Sequence, residues 1–179
     1  RRSAHSNAFF TGFGASKRVV FFDTLLQQLD AGEMEAVLAH ELGHFKHRHV
    51  LKMMLRSFVA TLIGLAVLGW LTGQTWFYTG LGVTPMWAEG SNHALALVLF
   101  MLVLPLPMFF LSPLGSTLSR KQEFEADAYA ATQARADDLR SALLKLYRDN
   151  ASTLTPDPWY VAFYYSHPPA SQRLARLAQ

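Results

Sequence analysis

HELGHFKHRHVLKMMLRSFVATLIGLAVLGWL, residues 40–71, decides how the chain is read, because it joins a metal-binding pattern to a long apolar run. Its first five residues are an HExxH motif. On a helix, positions i and i+4 share a face one turn apart, so His40 and His44 can grip one Zn²⁺. Glu41 is displaced by about 100° from His40. It sits beside the metal, where it can take a proton from water as a general base. From this chain's own His and Glu frequencies, one chance match to the motif has odds of about one in a hundred.

Upstream, Asp30 followed by Glu33 resembles a capping box, and Glu33 and Glu35 suit the positive end of a helix dipole. From Glu33 to Ile63 there is no proline, and Gly43 is the one internal glycine. The expectation is a helix running unbroken through HELGH and onward. After Arg56 the next charged residue is Glu89, and residues 57–71 are almost wholly apolar. Counted from Leu55 the run falls slightly short of the ~20 residues a spanning helix needs. Snorkelling of Lys52 and Arg56 can extend it. A second apolar run covers 94–111, with Pro105 and Pro107 expected to kink it. The alternative for both runs is a pair of helices buried in a soluble core.

Charge placement favours a membrane hairpin over residues 57–112. Lys46, Arg48, Lys52 and Arg56 precede the first run, Arg120 and Lys121 follow the second, and the loop 72–92 between them has neither Lys nor Arg. Both ends of the hairpin are then expected in the cytoplasm, with the lipid bilayer as a partner. Composition agrees. Of 179 residues, 51% are hydrophobic and 16% charged, against ~25% charged in a typical soluble domain. The net charge is +3, but Lys and Arg are scattered, so no nucleic-acid partner is expected. With no cysteine there is neither a disulfide nor a thiolate metal site. The opening Arg1-Arg2-Ser3 without Met reads as a piece excised from a longer protein.

A two-His site needs a third ligand and an open fourth position. The helix expected over 116–132 offers Glu123, Glu125 and Asp127. Glu123 and Asp127 are i, i+4 on one face, and Glu125 lies about 200° away from Glu123. Glu123 is therefore assigned to zinc and Asp127 to orienting a ligating His through its other ring nitrogen. Taken alone, the same residues make an ordinary acidic helix face. For His47 and His49 the alternatives are a histidine cluster that extends the metal site, or local packing or hydrogen bonding of His49 with His47 solvated, and the second is expected. The rest of the chain reads as a hairpin over 7–22, an amphipathic helix over 137–149 with Leu139, Leu143, Leu146 and Tyr147 on one stripe, a loop over 153–165, and a short helix over 170–178 after Pro168-Pro169.

Five segments, HSNAFFTGFG (5–14), RVVFFDTLL (18–26), HELGHFKHRH (40–49), SRKQEFEADAYA (119–130) and YSHPPASQRL (165–174), occur in this order. Together they resemble the type I CAAX prenyl endopeptidases, integral-membrane zinc proteases of the gluzincin group, over nearly the whole chain. The resemblance implies one Zn²⁺ per chain on His40, His44 and Glu123, with Glu41 as the base. It also implies substrate contact and oxyanion stabilisation by Asn7 and His167, and it matches the family's Arg at Arg173, outside the ligand set. The family's several upstream transmembrane helices have no counterpart here.

The expected fold is mainly α: a zincin-like core over 1–179 as a single peptidase domain, with a small β-hairpin and two transmembrane helices between the HExxH helix and the third-ligand helix. The expected function is zinc-dependent cleavage of a peptide or protein substrate, membrane-associated substrates among them. Short inter-motif loops suggest a bacterial member, C-terminal catalytic part, in the inner membrane with its site facing the cytoplasm. Because bacteria generally lack prenylation, the competing functions are a membrane-protein quality-control metalloprotease and a non-catalytic zinc-binding scaffold. Glu41 argues against the scaffold, since loss of the base would be its signature.

Overall fold

The computed structural model describes residues 8–11, 18–87, 92–149, 153 and 155–178. It is mainly helical. Strands β1 (Ala8–Thr11) and β2 (Arg18–Phe21) pair antiparallel, Ala8 opposite Phe21 and Thr11 opposite Arg18, where the aromatic and β-branched runs predict a hairpin. The short helix α1 (Asp23–Leu26) follows. Helix α2 (Ala31–Lys46) begins on a complete capping box. The Asp30 side chain accepts from the Glu33 N–H, and the Glu33 side chain accepts from the Asp30 N–H, each at 2.9 Å.

The helix does not continue unbroken, as the sequence suggested. It ends at Lys46, turns through His47 and Arg48, and restarts as α3 (His49–Leu71). Arg48 takes φ of 54°, a left-handed conformation uncommon for a residue with a Cβ. No Gly or Pro announced it.

The chain divides into two compact units, residues 1–50 with 113–179, and residues 51–112. The first is organised around α2, α7 (Ala136–Asp149) and α9 (Ala170–Leu177). Ala36 and Ala39 on α2 pack with Ala130, Leu139 and Leu143, and Leu25, Leu29, Val37 and Ala142 form an adjoining cluster. The amphipathic stripe of α7 is thus the buried one. Residues 153–165, read as a loop, contain helix α8 (Pro158–Tyr164), capped by Asp157, whose carboxylate accepts from the Tyr160 N–H at 3.0 Å.

The second unit holds most of α3, then α4 (Thr75–Gly80), α5 (His93–Val103) and the start of α6 (Pro105–Gln133). Helix α4 lies within the segment expected to be loop. Its anchor is Tyr78, fully buried, donating its hydroxyl proton to the Thr72 carbonyl at 2.9 Å. Phe77, Leu71, Ala96 and Leu99 close the cluster around it. Helix α3 is long and apolar enough to cross a membrane, and almost all of it is exposed. Helices α5 and α6 qualify together, bent by 50° at their junction, where Pro105 denies a continuing hydrogen bond. Leu55, Phe58, Ile63, Leu102 and Phe110 all face outward.

Candidate active site

His40, Glu41 and His44 fall in the second half of α2, and Glu123 and Asp127 on the adjoining face of α6. The two helices approach closely because Gly43 has no side chain. A Cβ there would lie 2.9 Å from Ala126 Cα and 3.0 Å from its carbonyl oxygen. The glycine inside HELGH therefore sets the distance at which the histidines meet the carboxylates.

Donor atoms of three residues converge. His40 Nε2 lies 3.2 Å from His44 Nε2, and Glu123 Oε1 lies 3.3 Å from His44 Nε2. Glu123 Oε2 lies 3.7 Å from His40 Nε2. Metal–ligand bonds of 2.0–2.2 Å in tetrahedral zinc place neighbouring ligand atoms about 3.3–3.6 Å apart. Two imidazole nitrogens and a carboxylate oxygen are also the right donors, so the residues present fit the ion.

The other nitrogen of His40 is held. Its Nδ1 lies 2.9 Å from Asp127 Oδ1, and Asp127 accepts a two-pronged pair from Arg173, Nε to Oδ2 at 2.8 Å and Nη2 to Oδ1 at 2.5 Å. With Nδ1–H of His40 donating to the Asp127 carboxylate, the Nε2 lone pair is free for a cation. His40, Glu123, Asp127 and Arg173 are all buried. Desolvation disfavours the Arg173 charge, but the Asp127 carboxylate outweighs it and raises the guanidinium's pKa further. Sequence spacing had tied Asp127 to the site, whereas Arg173 rested on family likeness alone.

Glu41 is half-buried. Burial pushes its carboxyl above the ordinary value, against the opposing pull of His40 and His44. A raised carboxylate beside a metal site is a stronger proton acceptor. His167 arrives from the segment before α9, with Nδ1 2.9 Å from Glu123 Oε2 and its side chain 65% exposed. The hydrogen bond to the Glu123 carboxylate raises the pKa of this imidazole. Asn7 lies outside the described residues.

Two residues missed in the sequence fix the approach of His167. Arg120 Nη1 donates to the Val161 and Tyr165 carbonyls at 2.8 and 2.9 Å, gripping the C-terminal end of α8 two residues before His167. The Tyr147 hydroxyl donates to the Pro168 carbonyl at 2.9 Å, one residue after it. The proximity of Arg120 to Glu123 in the sequence was the available signal for the first, and nothing local marked the second.

The sequence profile of Peptidase family M48 matches residues 1–179. The chain is 38% identical over 178 residues to a CAAX prenyl protease 1 homolog from Oryza sativa subsp. japonica, covering 98% of this chain and 40% of that protein. To CAAX prenyl protease 1 from Saccharomyces cerevisiae it is 35% identical over 188 residues, covering 99% and 42%. The crystal structure of S. mikatae Ste24p superposes with a TM-score of 0.85 at 34% identity, over 99% of this chain and 44% of that one. The chain thus spans about two-fifths of the length of the relatives it matches, with the histidines, carboxylates and close helix crossing described above inside the matched region. A family profile that covers every residue, and a fold shared with a solved relative, lead to one conclusion: the chain belongs to peptidase family M48.

Proposed function

We propose that this chain is the catalytic part of an integral-membrane zinc endopeptidase, its 179 residues forming one zincin-like peptidase domain. The observation that carries the reading is the convergence of His40 Nε2, His44 Nε2 and a Glu123 carboxylate oxygen, with Glu41 on the same turn of α2. These three would hold one Zn²⁺. When bound, zinc supplies Lewis-acid polarisation of the scissile carbonyl and lowers the pKa of water toward neutrality.

The chain's own residues do the rest. Glu41 takes a proton from the attacking water as the new C–O bond forms. It then delivers that proton to the leaving nitrogen as the C–N bond breaks. His167 and Asn7 donate hydrogen bonds to the carbonyl oxygen as charge builds on it. Asp127 and Arg173 keep the His40 ring in one tautomer and orientation. The two-stranded hairpin offers an edge along which an extended peptide can lie.

The substrate is a peptide or protein, with CAAX-type tails the first class to try because the relatives are CAAX prenyl proteases by name. Peptides with and without the prenyl group separate this from a quality-control role, in which both would be cut alike. Purified protein should lose cleavage when zinc is stripped by a chelator and regain it when zinc is restored. Full activity without metal would end the proposal. The outward-facing apolar side chains of α3, α5 and α6 support a bilayer location. The cationic flanks support a site facing the cytoplasm, and the short loops support a bacterial inner membrane. A single cysteine at Gly80 should then react with a membrane-impermeant thiol reagent added outside intact cells. Labelling only after lysis would reverse the topology.

A further inference from the structure

A second group of metal-type side chains, His47, His49 and Glu125, lies beside the first. His49 is 3% exposed, and both of its ring nitrogens have partners. Its Nδ1 lies 3.0 Å from His44 Nδ1, and its Nε2 lies 3.0 Å from Glu125 Oε2. The rings of His44 and His49 meet edge to face, centroids 5.0 Å apart. An unbroken helix could not make this contact, since residues five apart are separated by about 140° around the axis. The turn at His47–Arg48, with Arg48 at φ of 54°, brings His49 back against His44.

Proton counting assigns the group a role. If His44 binds zinc through Nε2, its neutral ring carries its proton on Nδ1. The gap to His49 Nδ1 has room for one proton, so His49 Nδ1 must accept. His49 then carries its own proton on Nε2 and donates it in a hydrogen bond to the Glu125 carboxylate. Every ring nitrogen of the pair has a partner of the right kind. A second cation on His49 Nε2 would move that proton to Nδ1, facing the proton of His44. Two donors would then share one 3.0 Å gap.

We propose that His49 and Glu125 are positioning residues for the metal site, fixing the tautomer and orientation of His44 as Asp127 does for His40, and that His47, His49 and Glu125 do not hold a metal of their own. This rests on the reading of His40, His44 and Glu123 as the zinc ligands.

The test uses detergent-solubilised protein. Zinc affinity is measured by chelator competition, the ligand field by the absorption of the cobalt(II)-substituted form, and kcat and KM separately. Removing the partner of a ligating histidine typically costs about 10–100-fold in metal affinity or activity. His49→Leu should lose affinity by about that factor, lower kcat with KM little changed, and shift the cobalt spectrum. His49→Asn, whose amide oxygen can still accept from His44, should recover most of the loss. Glu125→Gln should change the same quantities by less.

If His49→Leu lowers only the melting temperature, and zinc affinity and cobalt spectrum stay as in the parent, the relay is wrong and His49 is packing alone. A parent protein that binds two zinc ions, one of them lost in His47→Ala, overturns the proposal in favour of a second site. The underlying ligand assignment fails separately, through retention of zinc in His44→Ala.

Discussion

The two ends of α2 both bury charge, and they do so differently. At the N-terminal end, Glu33 is 1% exposed and saturated by the protein. One oxygen accepts from the Asp30 N–H at 2.9 Å and from Lys145 Nζ at 2.5 Å, and the other from the Ser141 hydroxyl at 2.5 Å. At the C-terminal end, His40 and Glu123 are as well buried as a core residue, but His44 and Glu41 are only half-buried and His167 is largely exposed. A buried carboxylate whose acceptors are all filled from within holds a fold together. One that shares an open side with unshared nitrogen lone pairs is arranged to act on something else.

The largest effect that could break this contrast is on metal. Glu123→Ala should abolish zinc retention on dialysis and take cleavage to background, whereas Glu125→Ala should weaken zinc binding without abolishing it. Loss of all zinc in Glu125→Ala, with retention in Glu123→Ala, would reverse the assignment of the two carboxylates on α6.

His167→Ala comes next. A hydrogen-bond donor to a developing oxyanion contributes about 10²–10³-fold in turnover. The variant should keep its zinc, change KM little and lose kcat by about that factor. Zinc loss would make His167 a ligand instead, and unchanged kcat would leave it outside the chemistry.

The smallest effect sharpens the other end. Burial alone would push the Glu33 carboxyl up, but Lys145, Ser141 and the Asp30 N–H outweigh it and hold it below the ordinary 4.5. A depressed folded pKa gives stability that is present above the ordinary value and lost as pH falls through the folded one. Lys145→Ala should cost about 2 kcal/mol near neutral pH, with zinc content untouched. The gap to the parent in denaturant midpoint should close as pH drops below the ordinary carboxylate value. A gap independent of pH would mean that Lys145 acts by packing alone.

Much of this was legible in the sequence because it is periodic. The i, i+4 spacing put His40 with His44 and Glu123 with Asp127, and the structure brings both pairs together as spaced. The capping box at Asp30 and the α7 stripe were equally plain. The break at His47–Arg48 was not, because it carries no Gly or Pro. What accompanies it is tertiary: a buried His49 bonded to His44 and to Glu125, 76 residues away in sequence. Helix α8 was legible in principle, since Asp157-Pro158 is an N-cap followed by proline at the first helical position. Apolar content could not say whether α3 was core or lipid-facing, as either solvent selects the same residues. What the structure adds is that the large apolar side chains of α3 lie exposed among the described residues.

The central claim is that Glu41 moves the proton while His40, His44 and Glu123 hold the ion. Cleavage of a peptide substrate by the parent and by Glu41→Gln, with zinc quantified in both preparations, tests it most directly. The account predicts one zinc per chain in each, and turnover in Glu41→Gln lower by about 10²–10⁴-fold or more. Near-normal turnover with zinc in place would contradict it.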